Sequence, residues 1–342
     1  MLMKKSLIAL AVAGAMTAPM IAQADATLYG SFRIGLQQES DVNGVDGTDR
    51  ELDVADQSSR VGIKGDVDLG LDGTKGLFHW EANVSTADSN SYGATTGSGK
   101  SMFGERLAYI GAKGDWGKAL IGRQYHPHYL LIQAPTNVFN PSSGDYGERF
   151  NLGNTYHKRT DNSIAYYSPS MNGFTFIAGA VVGSSGDDSD NAFDETVDGY
   201  NIAGVYTANN FTVAASYGDV ESSDAPAGDD SKEVWGLSAK YTMDALELMA
   251  KYEEADTEVA GANTAEESVW ELAARYTVGD TSFYGRYSDY EDDVAGGLDL
   301  DQFGLGIQQK LGNGRVFLEH VNNDGDDTQA GDRTVAGYRL DF

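Results

Sequence analysis

The side chains able to do chemistry in this 342-residue chain are few, and their spacing limits what that chemistry can be. Of five histidines, His126 and His128 stand two apart around Pro127, with His157 further along. A metal site there needs a third ligand that this spacing does not supply, so none is predicted. His79 and His320 lie in alternating segments with no nucleophile elbow beside them. No glycine pattern that cradles phosphate follows a strand and opens a helix. No acidic run has the full spacing of an EF-hand loop. The residues therefore predict no catalysis, no cofactor and no metal.

What remains is a set of basic side chains in regular positions. Arg33 stands opposite the apolar face of its segment, Arg60 and Lys64 opposite Val61 and Ile63, and Arg106 opposite Leu107 and Tyr109. Taken singly, each fits a salt bridge that braces a wall. Taken together, several positive charges on one polar stretch of wall would sort and orient passing ions and dipoles, a field effect and not bond chemistry.

The elements that must carry these residues are strands. Alternation at period two recurs from Ala26 to the last residue, and helical periodicity is nowhere convincing. Leu28, Gly30, Phe32, Ile34 and Leu36 point one way while Thr27, Tyr29, Ser31 and Arg33 point the other. The split repeats where Phe211, Val213, Ala215 and Tyr217 oppose Thr212, Ala214 and Ser216. It repeats again where Trp235, Leu237 and Tyr241 oppose Ser238 and Lys240, and where Trp270, Leu272 and Tyr276 oppose Glu271 and Arg275. Sixteen strands are predicted, at about 26–38, 58–70, 75–87, 104–115, 117–125, 161–169, 172–183, 198–207, 210–219, 233–243, 246–255, 268–277, 280–290, 301–311, 313–323 and 332–342.

Alternation alone would also fit a soluble sandwich; the rhythm of the connections separates the two. Short turns, such as Asp115-Trp116-Gly117, Ala208-Asn209-Asn210 and Gly312-Asn313-Gly314, alternate strictly with long polar loops, and strands of about ten residues match a tilted bilayer span. The reading is an all-β, 16-stranded antiparallel transmembrane β-barrel with short periplasmic turns, long external loops and both termini on the periplasmic side. One connection, residues 126–160, is too long to be idle. A barrel of this size leaves a wide aqueous lumen, which a loop folded inward would narrow.

Composition agrees: 42 Gly, 19 Tyr and 6 Pro suit twisted strands and ring belts, and the absence of cysteine leaves ladder hydrogen bonds to do the stapling. A net charge of −28 makes nucleic acid an unsuitable partner. Lys4 and Lys5, an apolar stretch from Leu7 to Ala15 and Ala22-Gln23-Ala24 read as a cleaved signal peptide over 1–24, leaving one barrel domain over 25–342. The acid is concentrated in external loops, among them Asp187, Asp188, Asp190, Asp194 and Glu195, as solvated surface or for divalent-cation bridging to anionic lipid.

Six stretches resemble the Gram-negative general porins, in order and in spacing. They are Thr27-Leu28-Tyr29-Gly30, Ser58-Ser59-Arg60-Val61-Gly62-Ile63-Lys64-Gly65, Arg106-Leu107-Ala108-Tyr109-Ile110-Gly111, Gly114-Asp115-Trp116-Gly117, Ile121-Gly122-Arg123-Gln124 and Asn162-Ser163-Ile164-Ala165-Tyr166-Tyr167-Ser168-Pro169, with a terminal Phe342. The resemblance implies an outer-membrane homotrimer whose third loop narrows each lumen. It adds Arg123 to the basic wall and sets Asp145 and Glu148, the carboxylates within the loop, opposite it. The loop departs from the enterobacterial Pro-Glu-Phe-Gly motif, having Asn140-Pro141-Ser142-Ser143-Gly144-Asp145-Tyr146-Gly147-Glu148 instead. Tyr338, Leu340 and Phe342 resemble the ending read by the outer-membrane assembly machinery. The expected partners are that machinery, outer-membrane lipid and lipopolysaccharide, and small hydrophilic solutes and ions crossing by passive diffusion. A substrate-selective porin, a barrel hydrolase and an adhesin stand as alternatives.

Overall fold

The computed structural model describes residues 24–40, 50–87, 103–140, 158–182, 197–222, 230–259, 262–293, 297, 299–325 and 332–342. The expected signal peptide falls almost wholly outside them, as do Asp145 and Glu148 and the acidic run at 187–195. Among the described residues the strands are β1 (Ala24–Glu39), β2 (Arg50–Asp56), β3 (Arg60–Leu71), β4 (Thr74–Val84), β5 (Phe103–Gly114), β6 (Gly117–Tyr125), β7 (Arg159–Tyr167), β8 (Phe174–Val182) and β9 (Val197–Ala208). They continue with β10 (Phe211–Ser222), β11 (Asp230–Met243), β12 (Leu246–Val259), β13 (Ala262–Val278), β14 (Thr281–Asp292), β15 (Asp299–Leu311), β16 (Gly314–Gly325) and β17 (Arg333–Asp341).

From β3 onward each strand pairs antiparallel with the next in sequence, and β17 returns to β1, with Ser31 opposite Asp341 and Glu39 opposite Arg333. The sheet therefore closes on itself, the condition for a β-structure to stand in hydrocarbon. β2 and β3 both pair with β1 and form one stave, so the barrel has sixteen. The break at Gln57-Ser58-Ser59 has a local cause: Ser58 adopts φ 70°, and Asp56 Oδ1 accepts the N–H groups of Ser58 at 2.8 Å and Ser59 at 2.9 Å in place of ladder bonds. The sequence reading began this stave at about 58 and missed β2.

A second correction concerns β12 and β13. They run to Val259 and restart at Ala262, with those two residues paired, where a long loop was expected over 256–267. Glu254, Asp256, Glu258 and Glu266 look like loop by composition, yet ladder bonding to a paired neighbour outweighs their weak strand propensity. The strict alternation of short and long connections fails there. At the other end the tight turns stand as read, with left-handed backbone at Gly73, Asn172, Asn209, Asp244, Gly279 and Gly312.

Period two sorts the side chains. Leu28, Phe32 and Leu36 are exposed on the outside while Ser31 and Arg33 are 4% and 5% exposed within. The same holds for Trp235, Leu237 and Tyr241 against Ser238, and for Trp270, Leu272 and Tyr276 against Glu271. An apolar exterior is stable because its solvent is lipid. Outward rings pair across strands in two girdles, Tyr200 with Tyr217, Trp235 with Tyr252 and Trp270 with Tyr287 at the outer one, and Trp116 with Tyr166 and Phe174 with Tyr206 at the short-turn end.

Candidate functional site

After Tyr125 the chain leaves β6 and turns into the lumen. Residues 126–140 form a short π-helix, Tyr129–Gln133, and one 3₁₀ turn, Ala134–Thr136, laid against the inner faces of β10 to β13. A segment crossing a lumen carries backbone and side-chain groups that each need a partner. Three buried glutamates supply most of them. Glu253 accepts from His128 Nε2 at 3.0 Å and from Gln133 Nε2 at 2.9 Å, and Glu271 accepts from Thr136 Oγ1. Glu319 accepts from Asn140 N at 3.1 Å, Asn140 Nδ2 at 3.0 Å and the Tyr284 hydroxyl at 2.6 Å. All three are at most 2% exposed. Lys251, 2.6 Å from Glu253 and 3.5 Å from Glu271, offsets the charge that burial would otherwise disfavour.

Packing completes the dock. Ile132 is fully buried, and Phe139 meets Tyr284 edge to face at 5.6 Å. Two wall glycines make room: a Cβ at Gly236 would stand 2.7 Å from Ile132, and one at Gly304 would stand 2.6 Å from the Phe139 ring. His126, at the root of the segment, is 6% exposed; burial, then the neighbouring His128, push its pKa down to about 3. It is neutral there, and its Nδ1 accepts the His128 N–H at 3.3 Å.

The basic side chains occupy the wall of β1 to β7. Arg33 donates from Nε to Ser31 Oγ at 2.8 Å, and Lys64 lies 4.8 Å from the centroid of the Tyr29 ring. Arg106 is the most tightly held: Nε meets Glu81 Oε1 at 2.5 Å, Nη1 donates to Asn83 Oδ1 at 2.9 Å, and Nη2 to the Tyr125 hydroxyl at 3.3 Å. A relay of hydrogen bonds stands beside it. Tyr29 donates to Glu81 Oε2 at 2.7 Å, so His79 Nε2 donates to Tyr29 at 2.6 Å and His79 Nδ1 accepts from Tyr109 at 2.9 Å.

Simple parity does not account for Arg106. Tyr109 faces the lumen with His79, and Leu107, 3% exposed and paired with Glu81, shares that side. A bulge where Glu81 and Ala82 face Leu107 and Glu105 shifts the phase and brings Arg106 inward as well. Arg123 stands apart from the others. It lies opposite Ala108 in the ladder, donates from Nε to the Arg106 carbonyl at 3.1 Å, and pairs with Asp161, an arrangement that braces β5, β6 and β7.

Sequence reasoning missed five residues that matter here. Glu81 was legible, since Trp80 points outward between His79 and Glu81. Arg159 opens β7, two residues before the predicted start, and stands opposite Tyr125 in the ladder. Glu253, Glu271 and Glu319 look like ordinary inward acids until the segment arrives on them. Tyr338, Leu340 and Phe342 face outward as expected, and Phe342 exchanges both backbone hydrogen bonds with Gly30, at 2.9 and 3.1 Å, its ring so close that a Cβ at Gly30 would meet it at 2.3 Å.

With this geometry in view, the sequence profile of the Gram-negative porin family matches residues 9–328. The major outer membrane protein P.IB of Neisseria gonorrhoeae is 33% identical over 179 residues, 51% of this chain and 47% of that protein. The matched stretch thus spans about half the length of that curated relative. Among solved structures, the barrel superposes on an anion-selective porin from Comamonas acidovorans with a TM-score of 0.74 at 17% identity, covering 94% of this chain and all of that one. It superposes on OmpT of Vibrio cholerae, an outer membrane protein solved in a trimer form, with a TM-score of 0.67 at 17% identity, covering 94% of this chain and 100% of that one.

Proposed function

The chain belongs to the Gram-negative porin family, and from that premise we propose that it forms a water-filled channel through which small hydrophilic solutes and ions cross the outer membrane by passive diffusion. The observation that carries this reading is the division of the lumen. Residues 126–140 are fastened to β10 to β13 and reach Glu319 on β16, while the basic side chains line β1 to β7 across from them. A neck with one cationic wall orients polar, hydrated solutes, whereas an apolar solute must strip ordered water to pass.

Arg33, Arg60, Lys64 and Arg106 form the basic side of the neck in this proposal, Arg123 braces it, and Asp145 and Glu148 are assigned to the opposing side. The working unit is a homotrimer, which the trimeric OmpT neighbour supports. Residues 1–24 are its export signal, and Tyr338, Leu340 and Phe342 its assembly signal. Outer-membrane lipid and lipopolysaccharide surround it, and no catalytic step is assigned.

Single-channel recording of the purified mature protein in a planar bilayer tests the proposal. The expected record is large, steady openings that close in three equal steps. Folded protein that inserts and passes no current would overturn it.

A further inference from the structure

We propose that a cavity under the inward segment, on its short-turn side, holds a small zwitterion with an apolar body, of which an α-amino acid with a large hydrocarbon side chain is the simplest case; this rests on the channel reading above. The cavity measures about 450 Å³, a size ordinary for small-molecule sites. Its roof is the segment, through Leu130, Leu131, Ala134 and Pro135, and its wall is the inner face of β10 to β13, through Thr212, Lys240, Glu247, Met249 and Arg275. These wall residues lie within a few positions of the tight turns at Asn209, Asp244 and Gly279. The cavity thus stands between the segment and the short-turn end of the lumen, away from the basic wall of β1 to β7.

Two features of the lining point to the class of ligand. The segment commits its polar side chains to the wall, His128 and Gln133 to Glu253 and Thr136 to Glu271, and leaves Leu130, Leu131, Ala134 and Pro135 half-buried over the cavity. Apolar surface facing water inside a channel is stabilised by any hydrocarbon that covers it. Across from that roof the charges come as a pair. Lys240 meets Glu247, with their side chains 39% and 28% exposed, and an ion pair so open to water is worth little. A zwitterion replaces that one contact with two, its carboxylate to Lys240 and its ammonium to Glu247, and leaves no charge unpaired.

Arg275 and Asn137 border the same space. Glu247 stands opposite Arg275 in the ladder, and Arg275 donates from Nη2 to the Val138 carbonyl at 3.0 Å. Arg275 Nε and Asn137 Oδ1 are buried and have no hydrogen-bond partner among the described residues. An unused donor near an unused acceptor is completed by a head group that both accepts and donates, as that of a zwitterion does. An anion alone would meet the donors and be repelled by Glu247, and a cation alone would meet Glu247 and be repelled by Lys240 and Arg275. Selection here is by a charge pair joined to hydrocarbon, whereas the basic wall acts on net charge.

The test is single-channel current of the mature protein in a planar bilayer, at fixed salt and neutral pH, titrated with L-phenylalanine. A solute lodged under the segment stands in the water path, so L-phenylalanine should reduce the current saturably, and glycine, the same head without the body, should not. Phenylpropanoate and phenylethylamine, each carrying one of the two charges, should block about tenfold more weakly, the loss of one charge-assisted hydrogen bond. Glu247→Gln should weaken the phenylalanine block by a similar factor without weakening that of phenylpropanoate. Thr212→Trp, which fills the cavity from the wall, should abolish the block and serves if Glu247→Gln does not insert. Conducting channels without saturable block by phenylalanine, an equal block by glycine or by the singly charged analogues, or a block indifferent to both substitutions overturns the pocket and leaves the channel reading intact. A wild type that passes no current overturns both.

Discussion

The residues that hold the inward segment are titratable, and His126 shows what that implies. In the docked segment its pKa is near 3, against about 6.5 for a free imidazole. Above pH 7 both docked and unfolded forms are neutral, so the group contributes no pH dependence. As pH falls from 6.5 toward 3, the unfolded chain takes a proton that the folded protein refuses. Stability is therefore lost with acid, at a rate of at most about 1.4 kcal/mol per pH unit for this one group. Its Nδ1 accepts the His128 N–H and its backbone N–H donates to the Lys158 carbonyl, so these contacts hold the neutral ring at the root of the segment. Thermal melting at pH 7.5 and at pH 4.5 should show the wild type losing more than His126→Gln between the two; equal losses would remove His126 from this account.

At the scale of elements, the segment and its wall are built as complementary surfaces. Phe139 lies on the bare backbone at Gly304 and against Tyr284, inside a cluster with Val138, Met249 and Ala273. Gly304→Val inserts atoms where the ring stands, an overpacking of about 1–3 kcal/mol that a hydrogen-bonded barrel resists and a segment anchored at a few points does not. The expected result is a lower single-channel conductance at unchanged strand content by circular dichroism, because the segment moves into the lumen. Phe139→Ala in the same chain should return the conductance toward the wild-type value. If Gly304→Val alone conducts normally, the glycine does not position the segment.

At the scale of the whole molecule, closure depends on the last strand meeting the first. Phe342 contributes two backbone hydrogen bonds to Gly30 and a ring that covers it and packs 5.6 Å from Phe32. Phe342→Ala keeps the backbone bonds and removes the ring. If the ring is read by the assembly machinery, cells carrying this variant should place far less protein in the outer membrane, while the purified variant refolds into detergent micelles at the wild-type rate. Impaired refolding in vitro would make the ring a closing contact and end its reading as a signal.

Most of this architecture follows from local rules that a sequence displays. Period two assigns Leu28 and Phe32 to lipid and Ser31 and Arg33 to the lumen, and the asparagines and glycines of the tight turns mark strand ends, because side-chain direction and left-handed backbone are properties of a few adjacent residues. The same rules placed Arg33, Arg60 and Lys64 on the inner wall. They set Arg106 opposite Leu107 and Tyr109, whereas a bulge on β4 and β5 changes the phase and turns all three inward, and they failed at β12 and β13, where cross-strand pairing overrides an acidic composition. They could not reveal that Glu253, Glu271 and Glu319 fasten the segment, since each depends on a partner more than 100 residues away. Which side of the sheet a residue faces is written in its neighbours; which charges meet across the lumen is decided only when sixteen staves close and one loop crosses the space between them.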